Sequence, residues 1–217
     1  MDLQGLIYRG VHGVRAGFGI GRQHNYRTLE VAVVLLLDAQ GHHQTRQRQL
    51  AVLRRHGVNP GLEAPPHITL KLGFKCRDPQ PLADYLDTLA ARTAPLPVTL
   101  KDFAHFDEGI TFWDVVPDAA LDRLRRGTVA DLQTRFGIAP RPLEHGDGAY
   151  RLHVTLAHGL SPAAFRAERD ALSSEHAEHR FTGQQIALLV RGDHHWIDYK
   201  TATLGQPHGT GTGTHAA

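Results

Sequence analysis

The feature that most constrains this chain is a phrase it spells twice. Residues 64–74 read APPHITLKLGF and residues 150–159 read YRLHVTLAHG. Each copy runs His, a β-branched residue, Thr, Leu. Side chains on a strand alternate between faces. His67, Thr69 and Lys71 are therefore expected on one face, with Ile68, Leu70 and Leu72 on the other. In the second copy His153, Thr155 and Ala157 oppose Leu152, Val154 and Leu156. The apolar sets must be buried. Each copy then offers one imidazole and one hydroxyl, two residues apart, on an open face.

The surrounding sequence supports two diverged copies of one unit. The chain has 217 residues, 41% hydrophobic and 21% charged, enough for a large packed domain or two joined lobes. The strand expected over 28–37 is continuous and apolar. A helix is expected over 44–56, with Leu50 and Leu53 inward, ended by Gly57, Asn59, Pro60 and Gly61. Leu82, Tyr85, Leu86 and Leu89 recur at i, i+3, i+4 and i+7, which predicts a second helix. Strands follow over 98–103 and 110–116, then a helix over 118–136 stopped by Gly137. Residues 138–149 read as a loop. Ser161-Pro162 opens a further helix after the second H-V-T-L strand. Two strands, 186–190 and 196–204, complete the pattern. Each histidine strand thus follows a helix and precedes another helix and more strand.

Composition excludes several classes. No apolar run reaches the roughly 18 to 20 residues that span a bilayer. The N-terminal MDLQGLIYRG lacks a basic lead and an apolar block, so no secretory signal is expected. One cysteine, Cys76, excludes an intrachain disulfide and a cysteine metal cluster. A cytoplasmic, monomeric protein is the expectation. The net charge of +2 is too small for a non-specific nucleic-acid coat. The 16 histidines mean that a single histidine carries little weight by itself. His42-His43 and His194-His195 are expected in exposed loops, and no metal site is expected from them. The GFGIG segment at 17–21 follows no strand and opens no helix, so it is not a dinucleotide fingerprint.

If the two units pack about a pseudo-twofold axis, their histidine strands lie side by side. Two imidazoles and two hydroxyls then face one cleft. That arrangement suits phosphoester chemistry: one imidazole accepts a proton from the attacking oxygen, the other donates one to the leaving oxygen. The hydroxyls of Thr69 and Thr155 can donate to phosphate oxygens. Lys71 is expected to offset phosphate charge. Phe74 and Trp113 are candidates for stacking on a base, although a core position is the stronger expectation for Trp113. The Arg-rich run at 123–126 reads as a wet helix face.

HITLKLGF and HVTLAHG resemble the paired motifs of the 2H phosphoesterase superfamily, and within it the 2′-5′ RNA ligase/RNA 2′,3′-cyclic phosphodiesterase family. The resemblance covers about residues 28–205. It implies an α+β fold of two pseudo-symmetric lobes around a central cleft, no metal and no cofactor. It implies that His67 and His153 are catalytic and that Thr69 and Thr155 bind phosphate. The implied substrates are RNA ends or small nucleotides bearing 2′,3′-cyclic phosphates, opened to 2′-phosphates, with reversible 2′-5′ ligation as a further activity. His153 is assigned as base and His67 as acid in hydrolysis. Another phosphoester, such as a 2′-5′ oligonucleotide or an ADP-ribose cyclic phosphate, is an alternative substrate. An idle RNA-binding module is an alternative of another class. His158 stands where the family usually has Arg, and in a regular strand it points away from His153. The expected layout is an extension over 1–27, one bilobal domain over 28–205 and a tail over 206–217.

Overall fold

The computed structural model describes residues 28–107, 109–145 and 150–206. The expected extension with its GFGIG segment, and the tail from residue 207, lie outside the described residues. The strands are Leu29–Leu36 (β1), His67–Cys76 (β2), Leu96–Phe106 (β3), Ile110–Val115 (β4), His153–Ala157 (β5), Glu178–Gly183 (β6), Gln185–Arg191 (β7) and Trp196–Thr203 (β8). The helices are Ala39–His56 (α1), Gln80–Ala91 (α2), Ala119–Phe136 (α3) and Pro162–Ser173 (α4). This is an α+β fold.

The strands form two antiparallel sheets, ordered β2-β1-β7-β8 and β5-β4-β3-β6. Each histidine strand is the edge of its sheet, and the two edges lie alongside each other. The helices exchange. α1 follows β1 of the first sheet yet packs on β5 of the second. α3 follows β4 of the second sheet yet packs on β2 of the first. α2 covers β7 and β8, and α4 covers β3 and β4. The exchange merges the lobes. One apolar core runs from Val31, Ile68 and Leu70 through Leu86, Leu121 and Leu132 to Leu100, Trp113 and Val154.

Local chemistry sets the helix ends. Asp38 caps α1 by accepting from the Gly41 N–H, so the helix starts five residues earlier than expected and carries His42 and His43 on its exposed side. The buried stripe of α1 is Gly41, Thr45, Gln49 and Val52, not Leu50 and Leu53. Within that stripe Gln49 Nε2 donates to the Thr155 carbonyl of β5. Gly57 ends the helix at φ 72, a left-handed conformation that costs glycine nothing sterically. Asp118 and Gly137 delimit α3 in the same way, and Ser161 caps α4. Arg125, expected on a wet face, is buried, with its guanidinium over the Tyr150 ring. β6 had no sequence signal. It is a charged edge strand whose inward positions include His179 and Gly183.

Candidate active site

The two motif histidines are held identically. His67 Nδ1 donates to the Pro65 carbonyl at 2.6 Å, and His153 Nδ1 donates to the Arg151 carbonyl at 2.9 Å. A carbonyl only accepts, so each neutral ring carries its proton on Nδ1. Nε2 is left with a lone pair. Two strand entries with the same i−2 contact thus fix two imidazoles in the same tautomer. His153 is seated against Phe106 and Phe112, with ring centroids 5.1 and 5.0 Å away. Arg151 turns out to the sheet edge, as a charged group must, and pairs with both carboxylate oxygens of Asp114.

Each strand then breaks its alternation at the same place. Val34 opposes Thr69, but the adjacent Val33 opposes Lys71. Phe112 opposes Thr155, but the adjacent Thr111 opposes Ala157. In both strands an extra residue enters just after the threonine, a bulge that re-aims the residues next to it, and in β2 a second shift between the Val33–Lys71 and Val31–Phe74 pairs returns Phe74 to the core face. His67 and Thr69 keep the cleft face. Lys71 does not: it turns inward with Val33 and is 0% exposed. Its ammonium pairs with Glu144 at 2.7 Å. Lys71 is therefore no phosphate contact, contrary to the regular-strand expectation. The same bulges bring Leu72 and His158 to the cavity. His158 thus shares the cleft, where alternation had placed it on the opposite side.

The cavity between the lobes is lined by His67, Thr69, Thr155 and His158, by Pro65 and Pro66, and by Arg141 and Arg191. Its floor on the first sheet includes Ala32, Leu189 and Trp196. The stacking candidates lie elsewhere. Trp113 is 1% exposed and packs on Phe103, and Phe74 is buried in the common core. Both follow strand faces that point away from the cleft. Trp196 is the tryptophan that lines it.

Both edge strands are satisfied across the lobes. The β5 carbonyls of Thr155 and Leu156 accept from Gln49 Nε2 and Asn59 Nδ2, each at 2.9 Å. On β2, the Leu72 N–H donates to Glu144 at 2.8 Å and the Gly73 carbonyl accepts from Arg141. So the helix and loop ahead of β2 hold β5, and the loop ahead of β5 holds β2. Sequence reasoning missed these residues because none sits in a motif. The only signal was their place just before each histidine strand.

Burial dominates the electrostatics. It pushes the His153 imidazole down to about 4; the Arg151 carbonyl opposes this and the nearby His67 adds to it. Burial also lowers His67, against its bond to Pro65 and together with the Arg46 charge. Among the described residues, no group of three or more His, Cys, Asp or Glu side chains is arranged to hold a metal ion. No helix there is long and apolar enough to cross a membrane.

Comparison with known proteins agrees with this geometry. A family model described as the 2′-5′ RNA ligase superfamily matches residues 40–195. No curated protein matches the chain. Among solved structures, E. coli LigT complexed with 3′-AMP gives a TM-score of 0.54 at 16% identity, covering 82% of this chain and 99% of that one. The protein TT0787 of Thermus thermophilus gives 0.54 at 17% identity, covering 82% and 100%. E. coli LigT complexed with NADP+ gives 0.51 at 18% identity, covering 82% and 99%. At such identities the likeness is one of fold.

Proposed function

The chain belongs to the 2′-5′ RNA ligase superfamily, and from that premise we propose that it hydrolyses 2′,3′-cyclic phosphates at RNA or nucleotide ends to 2′-phosphates. The observation that carries this reading is the matched pair of imidazoles, each locked through Nδ1 to a carbonyl and presenting Nε2 from facing edge strands. A water attacks phosphorus and gives its proton to His153 Nε2. The P–O3′ bond breaks, and O3′ takes a proton from Nε2 of His67, which enters the step as the imidazolium with Nδ1 still bonded to the Pro65 carbonyl. Thr69 and Thr155 donate to the non-bridging oxygens, where charge grows in the transition state. A 5′-hydroxyl in place of water forms a 2′-5′ linkage by the same step. No protein metal ligand is invoked. The site is complete within one chain, which supports a monomer as the working unit.

The test is turnover in EDTA of the four nucleoside 2′,3′-cyclic monophosphates and of a short RNA with a cyclic end. His67→Ala and His153→Ala are each expected to lose about 10²- to 10⁴-fold in kcat/KM, with a 2′-phosphate as the wild-type product. Activity untouched by both substitutions, or abolished by EDTA and restored by a metal, would sink the two-histidine mechanism.

A further inference from the structure

The cleft face of the first sheet carries hydroxyl and imidazole at one end and opposite charges at the other. Val34 opposes Thr69 in the β1–β2 register, and Glu30 stands four residues back along β1, roughly 13 Å from Val34. Ala32 and Leu189 floor the cavity between them, and Glu30, Arg141 and Trp196 line its far end. That interval is about the length of one nucleoside, from its ribose phosphate to the outer edge of a purine. A nucleotide whose phosphate sits at Thr69 brings its base to the far end.

Gly73 is the point at which the two charges approach. Its carbonyl accepts from the Arg141 guanidinium. A Cβ added at Gly73 would lie 3.1 Å from Glu30 Oε1 and 3.6 Å from the Trp196 indole, so a side chain there would crowd both groups. Arg141 is held from below: its N–H donates to Glu144 Oε2 at 2.7 Å, and Glu144 is paired with the buried Lys71. Glu30 is 17% exposed, and its ion pair is a loose one with Lys75 at 3.8 Å, a side chain 67% exposed. The neighbouring Arg191 is already paired with Glu63 at 2.7 Å.

A carboxylate only accepts hydrogen bonds and a guanidinium only donates them. Placed together they complement the edge of guanine, whose N1–H and N2 amine donate and whose O6 accepts. Adenine in the same place sets the N1 lone pair against the carboxylate and has no O6 for the guanidinium. Uracil offers the carboxylate one N–H group and cytosine one amine, where guanine offers two adjacent donors. Resting on the reaction proposed above, we infer that the cleft selects its base, taking guanosine at the reacting end in preference to the other three nucleosides. Glu30 accepts from guanine N1–H and the N2 amine, Arg141 donates to O6, and Glu30 is the specificity-determining residue.

The experiment measures kcat/KM of the wild-type protein and of Glu30→Gln on guanosine, inosine and adenosine 2′,3′-cyclic monophosphates. The wild-type protein should favour guanosine over adenosine by about ten-fold, the discrimination of one bidentate contact. Inosine keeps N1–H and O6 but lacks the N2 amine, and should fall between the two. An amide offers one acceptor and one donor, the pattern that adenine N6 and N1 require. Glu30→Gln should therefore lose the preference for guanosine and improve on adenosine. A wild-type guanosine-to-adenosine ratio of one, a ratio unchanged in Glu30→Gln, or inosine turned over as well as guanosine overturns the inference. Calorimetric titration with guanosine and adenosine 2′-monophosphates separates base selection from the reaction. Equal affinities overturn the base site. Tighter, Glu30-dependent binding of the guanosine product without turnover of any cyclic phosphate upholds the site and removes the proposed chemistry.

Discussion

A histidine becomes useful for proton transfer when its tautomer and its charge are both controlled. Here a carbonyl two residues back sets the tautomer, and burial sets the charge. In the proposed reaction His153 accepts a proton only when neutral, hence above about 4. His67 donates only when protonated, hence below a value that burial holds under 6.5. The kcat/KM profile should be a bell lying between these limits, on the acid side of the neutral optimum that unperturbed imidazoles would give. In the bound complex the phosphate's negative charge favours imidazolium, so the alkaline limb of kcat should move upward. A kcat/KM maximum above pH 7 would contradict the burial argument. Lys71 is the opposite case, a charged residue the fold keeps out of the cleft. Lys71→Met leaves the Glu144 carboxylate buried without its counter-charge, and should cost about 3 to 5 kcal/mol in urea unfolding. A loss under 1 kcal/mol would mean that Glu144 is content with its two backbone donors.

At the scale of elements, the decisive features are the bulges and the edges they belong to. An unpaired edge leaves backbone groups that must be satisfied, and here amide and charged side chains from the other lobe do so. Asn59 is the tightest of these: it donates to Gln49 and Leu156 carbonyls and accepts from the Gly61 N–H. Asn59→Ala should destabilise the protein by about 1 to 3 kcal/mol through buried groups left unpaired. It should also lower kcat, because Leu156 adjoins Thr155. Thermal unfolding and single-turnover rates read the two effects separately. A stable variant with normal turnover would show that β5 needs no cross-lobe support. Most strands, the glycine stops and the Ser161 cap were legible in advance, since periodicity and Gly, Pro and Ser placement are local signals, but the Asp38 and Asp118 caps were not. β6 was not, because an edge strand rich in charge has no apolar pattern to read. The inward stripe of α1 was misread because a polar residue such as Gln49, which bonds strand backbone, looks like surface.

For the whole molecule, helix exchange makes the two lobes one cooperative unit. α1 and α3 each leave one sheet to pack on the other, and a single core connects both. The chain holds two tryptophans, Trp113 on the second sheet and Trp196 on the first. Trp113→Phe and Trp196→Phe therefore give single-probe proteins that report on opposite lobes. Their fluorescence midpoints in denaturant should coincide with the loss of far-ultraviolet dichroism, once each variant is compared with its own dichroism. Separated midpoints within one variant would mean that the lobes unfold independently.

The repeated His-x-Thr phrase determined by itself the pairing of two imidazoles and two hydroxyls, the duplicated α+β plan and the family resemblance. Those properties rest on local alternation and on residue identity, which a linear string records. Only the tertiary structure decided what lies beyond each threonine. A one-residue bulge inverts strand parity, so Lys71 turned into the core while Leu72 and His158 turned into the cleft. Cross-lobe partners such as Gln49, Asn59, Arg141 and Glu144 were equally hidden. Their roles come from contacts between segments far apart in the chain, made when two edge strands meet and their unpaired backbone groups must find partners.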